Sequence, residues 1–335
     1  MPRTSFQRLA IAATAVTYLL IAVGGLVRAS GAGLGCPDWP RCFGSWVPPV
    51  SAAELPPEFD PAQFNPTLMW TEYLNRLLGV TVGLVILAAT VSAWRNHRRE
   101  PRILWPVVAA VLLTGFQGWL GGRVVAHELA AWIVTAHMLV ALVIVSLLLV
   151  AVLESMTSQD GRAEARTTGG GAETWTTGRA EALPYAGQTT VGLMRRRIAW
   201  AAAAAIVLSL VQVGVGTQVR GRVDEALEVV PRAQALETVG TLDTTHRELA
   251  ALTGLGILGL WLVVWTRQPA DRALLRAAHL ALACTAAQIL LGMALAATLP
   301  AAAQVLHLTV ASLLLGALTA TAFIAWRWPA PAGAA

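Results

Sequence analysis

Six histidines carry most of the chemical potential of this sequence: His97, His127, His137, His246, His279 and His307. Three of them, His137, His246 and His307, fall near one end of long apolar runs. An ionisable group there is costly in lipid and normally faces a bundle interior, which makes it a candidate functional residue. Two imidazoles at equal depth on different helices can approach one metal from opposite sides, and a neutral imidazole nitrogen suits haem iron. His246 and His307 meet that requirement. The plainer alternative is two polar residues hydrogen-bonded between helices. A structural zinc site would want four ligands from Cys, His or carboxylates, and the surroundings lack the extra ones. The other histidines read differently: His97 as a solvated loop residue among arginines, His127 as a residue of a short outer loop, and His279 as a lone polar residue near a helix end.

The elements that must position these residues are membrane helices. Of 335 residues, 56% are hydrophobic and 13% charged, and the mean hydropathy is +0.60. A soluble domain of that length would need more charge to cover its surface. A span takes about 20 mostly apolar residues, and eight runs qualify: 9–28, 70–94, 103–122, 130–153, 198–219, 243–266, 273–297 and 303–327. The first is too long for a signal peptide and lacks a good cleavage site, so it is kept as a helix.

The basic residues are all arginine. They sit in short loops, so the sequence pI of about 9.8 reflects membrane orientation rather than nucleic-acid binding. Arg3 and Arg8 precede the first span; Arg95, Arg98, Arg99 and Arg102 fill the second loop; Arg195, Arg196 and Arg197 close the fourth; Arg267, Arg272 and Arg276 lie in the sixth. The acids Asp38, Glu54, Glu58, Asp60, Asp224, Glu225, Glu228 and Glu237 lie in odd-numbered loops. The positive-inside rule therefore puts both termini in the cytoplasm.

Residues 154–197 read as a flexible, polar cytoplasmic linker between an N-terminal unit, 1–153, and a C-terminal unit, 198–335. The two units repeat. Glu72 to Arg76 resembles Asp243 to Arg247, Gln117 and Gly121 match Gln288 and Gly292, and His137 matches His307, at offsets of 170 or 171 residues. Arg28 and Arg220 match at an offset of 192, because the first outer loop is about 21 residues longer. Four spans per unit is an even number, so the repeats are parallel. The expected fold is all-α and integral to the membrane: eight transmembrane helices as two pseudo-symmetric four-helix bundles.

The repeat is broken at one position. Where the second half has His246, the first has Asn75, a poor iron ligand, with Glu72 one helical turn outward on nearly the same face. One half is built for a six-coordinate haem; the other offers one ligand, His137, an open side and a carboxylate. Glu72 can also simply pair with Arg76 four residues on. Arg28, Arg76, Arg220 and Arg247 lie at the outer helix ends, where a guanidinium fork can take a haem propionate or merely snorkel to the interface. Cys36 and Cys42, on the oxidising side, are expected to pair; whether the bridge stiffens the loop or passes electrons is open. Cys284 reads as an inert core residue.

These features carry a resemblance. Gly24-Gly25-Leu26-Val27-Arg28, the run from Ser30 through Gly35-Cys36-Pro37-Asp38-Trp39-Pro40-Arg41-Cys42, Glu72 to Arg76, His137, His246-Arg247 and His307 together resemble the heme A synthase family, across essentially the whole chain. The resemblance implies haem b on His246 and His307, haem o as substrate in the N-terminal half, and oxidation of its C8 methyl to a formyl group by successive hydroxylations. It implies that Glu72 abstracts a proton or stabilises a cationic intermediate, and that Cys36–Cys42 is the family's outer-loop pair. It also implies haem o from a haem o synthase, a membrane electron acceptor, contact with that synthase or with cytochrome oxidase assembly, and a bacterial inner membrane. Many members carry His where this chain has Asn75, so His137 is the substrate haem's one evident ligand. The third outer loop lacks a second cysteine pair found in some members. Two other classes fit less well: a cytochrome b type electron-transfer protein, which would keep His in both halves, and a parallel-repeat transporter, which would carry its polar residues at mid-membrane.

Overall fold

The computed structural model describes residues 3–168, 185–298 and 300–327. Eight long helices account for most of them: α1 (Ser5–Ala29), α2 (Pro66–Asn96), α3 (Pro101–Ala126), α4 (Ala131–Thr168), α5 (Tyr185–Ala226), α6 (Thr241–Arg267), α7 (Arg272–Thr298) and α8 (Ala301–Arg327). Each contains a window apolar enough to cross a bilayer, so the chain is an all-α membrane protein of eight spans, as the hydropathy predicts. Helical ends are set locally. Thr4 and Gln7 form a reciprocal capping box on α1. Pro66 opens α2, where Asn65 Oδ1 accepts from the amides of Thr67 and Leu68 at 3.1 and 3.2 Å, satisfying donors the first turn cannot pair internally.

Packing closes the helices into two four-membered rings. In one, α1 packs on α2, α2 on α3, α3 on α4 and α4 back on α1; in the other, the same circuit runs through α5, α6, α7 and α8. The rings join through α1 with α8, α4 with α5, and α4 with α8. As a result α8 is the most enclosed span, 61% buried against 17–39% for the rest. Large apolar side chains elsewhere point outward, among them Leu84, Trp105 and Leu255. In water such a surface would aggregate; against acyl chains it has no better partner to seek.

The well-packed core lies towards the end that bears both chain termini. In the first ring it holds Phe6, Ala10, Ile86, Val107 and Leu148; in the second, Ile198, Ile257, Leu274 and Leu318. The histidines of interest lie at the far end, beyond this packing. Contacts within the rings recur along the chain. Gly83 faces Thr114 across α2 and α3, and Gly254 faces Thr285 across α6 and α7, each at 3.7 Å from a built Cβ.

The helices run further than the apolar runs. α4 continues through Glu154, Ser155 and Ser158, which bond to Arg327, Gln7 and Glu100 at 3.0, 3.2 and 2.7 Å. Arg195, near the end of the expected linker, is also buried, with Nη1 on Asp271 Oδ2 at 2.8 Å and Nη2 on the Ile324 carbonyl at 2.7 Å. Polar residues that find partners in the bundle extend a helix that composition alone would end. The middle of the expected linker, residues 169–184, lies outside the described residues. His97 is also corrected: it is not solvated, since its Nδ1 lies 2.9 Å from Glu100 Oε1 and its side chain is 11% exposed, packed against the Phe6 ring.

Candidate functional site

Each ring carries its chemistry on a diagonal, because α2 and α4 do not adjoin in the first circuit, nor α6 and α8 in the second. In the second ring the diagonal residues are His246 and His307. Gln288 on α7 donates Nε2 to the His307 carbonyl at 2.8 Å, and Gln212 on α5 donates Nε2 to the His246 carbonyl at 2.9 Å. Gln212 Nε2 also lies 3.1 Å from His246 Nδ1. Small residues make room for the rings: a Cβ built on Gly292 stands 3.7 Å from His307 Cε1, and one on Gly216 only 2.8 Å from His246 Cε1. Gly216 is therefore glycine because the imidazole occupies the space a side chain would take.

In the first ring half of this arrangement is kept. Gln117 on α3 donates Nε2 to the His137 carbonyl at 2.8 Å, and a Cβ built on Gly121 stands 3.6 Å from His137 Cε1. Across the ring stands Asn75. The residue matching Gln212 is Leu20 and that matching Gly216 is Gly24, which has nothing within 4 Å of its built Cβ. The first ring thus has no counterpart of His246, of Gln212 or of the tight glycine contact.

Buried atoms without partners mark both rings. His137 Nδ1, His307 Nδ1, Asn75 Oδ1 and the Oε1 atoms of Gln117, Gln212 and Gln288 are buried with no hydrogen bond. An interior normally satisfies such groups, so they mark where the polar machinery is unfinished. Among the described residues no three His, Cys, Asp or Glu side chains converge as a metal site. The donors come singly or as a facing pair, which suits a metal already held by a macrocycle better than a bare ion. The residues present fit a haem.

Glu72 does pair with Arg76: Oε1 accepts from Nε at 3.1 Å and from Nη2 at 2.5 Å. Its Oε2 accepts from the Cys36 amide at 2.8 Å. Arg76 goes further, with Nη1 on the carbonyls of Asp38 and Arg41, both at 2.8 Å, and Nη2 on that of Cys36 at 3.3 Å. The buried pair on α2 thus holds the loop closed by the Cys36–Cys42 disulfide. The matching pair, Asp243 and Arg247, also forms at 2.8 Å, but Arg247 is 57% exposed and holds no loop.

Arg28 and Arg220 meet between the rings. Both bind Asp224, Arg28 Nη2 to Oδ2 at 2.6 Å and Arg220 Nη2 to Oδ1 at 2.5 Å. Beside them Thr135, two residues before His137, bonds Thr217 Oγ1 at 2.5 Å and Gln218 Nε2 at 2.8 Å. Sequence reading missed Gln212 and took Asp224 only as an outer-loop acid. Their signal was a stripe on α5 at spacing four: Gln212, Gly216, Arg220 and Asp224 share one helical face. His127 contacts Arg123 Nη2 at 3.2 Å and His279 contacts its own helix; neither joins the rings' diagonals. Cys284 is a buried free thiol.

Fold and site together define a polytopic helical membrane protein with paired and unpaired histidine positions at one end of its bundle. The chain belongs to the COX15-CtaA family, described as cytochrome oxidase assembly protein, whose family model matches residues 7–319. It is similar to curated proteins named Heme A synthase. The one from Allorhizobium ampelinum is 31% identical over 128 residues, covering 34% of this chain and 35% of the relative. Those from Agrobacterium fabrum and Geobacillus kaustophilus are each 32% identical, covering 33% and 37% of this chain and 34% of the relative in both cases. The chain thus spans about a third of the length of these relatives.

Proposed function

We propose that this chain oxidises the C8 methyl of haem o to a formyl group, giving haem A for cytochrome oxidase. The observation that carries the reading is the unequal pair of diagonals: His246 with His307 in one ring, and His137 with Asn75 in the other. The family match and the relatives' name, Heme A synthase, support it. The two rings are then parallel repeats, 1–153 and 198–335, that have diverged into a resident-cofactor site and a substrate site.

In this reading His246 and His307 hold haem b, whose bound iron supplies one-electron transfer. Gln212 and Gln288, bonded to the His246 and His307 carbonyls, fix the helices at the level where the imidazoles would hold the haem. His137 anchors haem o from one side. Asn75 leaves the other side open and offers a neutral acceptor, Oδ1, towards it. Glu72, one turn outward, keeps a negative charge at the rim of the substrate site, where it stabilises positive charge developing on the substrate or accepts its proton. Arg76 holds that carboxylate and the disulfide loop in one geometry. Arg28 and Arg220, with Asp224 between them, stand where two propionate-bearing macrocycles in neighbouring rings would bring their acidic edges, with Arg247 at the rim of the second ring.

With water as the source of the formyl oxygen, the oxidation releases four protons and four electrons. The electrons leave to an acceptor in the membrane, and haem o arrives from a haem o synthase. In the proposed orientation, which the arginine-rich loops support, both termini lie in the cytoplasm of a bacterial cell and the histidine ends at the outer face of its plasma membrane. A cytochrome b type carrier would have no use for Asn75 in place of a ligand. The test is His137→Ala, assayed by pigment extraction. Haem b should remain and haem A should vanish; undiminished haem A would remove the substrate site from the first ring.

A further inference from the structure

The first outer loop meets the N-terminal ring in a way that the C-terminal ring has no counterpart for. Cys36 and Cys42 close a small ring of chain, and Trp39 lies at its middle. That ring is fixed on one side to α2 by Glu72 and Arg76, which bond to Cys36, Asp38 and Arg41. Within it Asp38 accepts from the amides of Phe43 and Gly44 at 2.6 and 2.9 Å, so the tip is held rather than loose. On the other side Trp39 lies on α3. A Cβ built on Gly122 would stand 2.9 Å from both Cδ2 and Cε3 of the indole, so that seat exists only because position 122 is glycine.

A Cβ built on the adjacent residue, Gly121, would stand 3.6 Å from the His137 ring. Consecutive glycines of one helix therefore make room for the candidate haem ligand and for the loop tryptophan. Nearer the other membrane face α2 and α3 meet directly, at Gly83 with Thr114 and at Thr90 with Val107. At the level of Arg76 and Gly122 the loop stands between them instead. Beside Trp39 is a cavity of about 370 Å³ lined by Pro37, Asp38, Trp39, Trp119, Gly122 and Arg123. In the second half the positions matching Trp119, Gly122 and Arg123 are Leu290, Met293 and Ala294; Leu290 and Met293 are exposed with no loop over them.

We propose that the disulfide-closed ring is a latch on a lateral entrance to the N-terminal site, and that the cavity beside it is a subsite for the edge of a porphyrin carboxylate. Trp39 seated on Gly122 shuts the gap between α2 and α3. The two indoles, Trp39 and Trp119, give a planar macrocycle flat apolar surface. Arg123, whose guanidinium has His127 rather than a carboxylate beside it, takes a propionate at the rim. A resident haem b needs no such door, in keeping with its absence from the second ring; a substrate that enters and a product that leaves do. This inference rests on haem o being the substrate of the first ring.

The test uses the full chain, purified with its haem b, and measures binding rather than turnover. Haem o is added and its association followed by difference absorption; its release is followed by transfer to an excess of haem-scavenging apoprotein. Trp39→Ala and Gly122→Ala, made on opposite sides of one contact, should each speed release by about tenfold, with the haem b spectrum unchanged. The double variant should be no faster than the faster single. Arg123→Leu should weaken haem o binding but not that of its dimethyl ester, which lacks the carboxylates. Wild-type release rates in both Trp39→Ala and Gly122→Ala would overturn the latch, and equal weakening of haem o and its ester by Arg123→Leu would overturn the subsite. A wild-type chain that binds no haem o at all would instead overturn the substrate assignment on which both rest.

Discussion

On the proposed reading, position 75 decides what the N-terminal ring does. With asparagine there, the ring offers His137 as its iron ligand and an amide that binds iron poorly on the opposite helix. Asn75→His should convert the substrate site into a closed one. Haem o bound by this variant should give an additional six-coordinate, low-spin signal, and haem A output should fall by roughly tenfold or more, the scale of a lost reaction coordinate rather than a lost contact. Optical and resonance spectra of the variant check this. Glycines give a second contrast. Gly216→Ala would place a methyl 2.8 Å from His246 Cε1, so the ring must shift and haem b should be depleted or its spectrum altered. Gly24→Ala, at the matching position, meets nothing within 4 Å and should leave haem b content as in the wild type. Glu72→Gln can still accept from the Cys36 amide but carries no charge. Haem A formation should drop by roughly a hundredfold or more if the charge is what matters, with the loop disulfide still formed.

Helices and loops show where sequence reading reaches and where it stops. The spans were legible because lipid demands a long apolar run with few charges, and each of the eight contains one. Their ends were not, because an end depends on partners that lie elsewhere in the chain. Arg195 reads as a loop arginine until Asp271 and the Ile324 carbonyl are seen beside it. His97 reads as solvated until Glu100 and Phe6 are. Removing one partner of a buried pair strands the other: Asp271→Ala should destabilise the protein by about 3–5 kcal/mol. That would appear as a lower Tm, with the haem b spectrum of the surviving folded fraction unchanged. The candidate site residues stood out one at a time, as histidines out of place in apolar helices. Gln212 escaped notice and Asp224 read only as a loop acid, since what they bond stands opposite them on α6 and α1.

For the molecule as a whole, the arrangement is two rings sharing a wall, with dense cores at the end bearing the termini and chemistry at the other. That division leaves the histidines beyond the packing that the opposite half supplies. On the proposed reading the two haem sites lie in adjoining rings, with Arg28, Asp224 and Arg220 where the rings meet. Orientation follows from arginine placement alone, so it is open to direct test. Reporters fused at either terminus should both register the cytoplasm, and a cysteine label on Trp46 (Trp46→Cys) should react from outside intact spheroplasts. Opposite behaviour would invert the whole account of where substrate arrives.

The most direct measurement of the central claim is the pigment content of membranes from cells making haem o, but no other enzyme that consumes it, with and without this chain. Haem A should appear when the chain is present, and the purified protein should carry haem b with it. Membranes in which haem o accumulates unchanged, while the chain purifies with its haem b intact, would show that it binds haem but does not oxidise it.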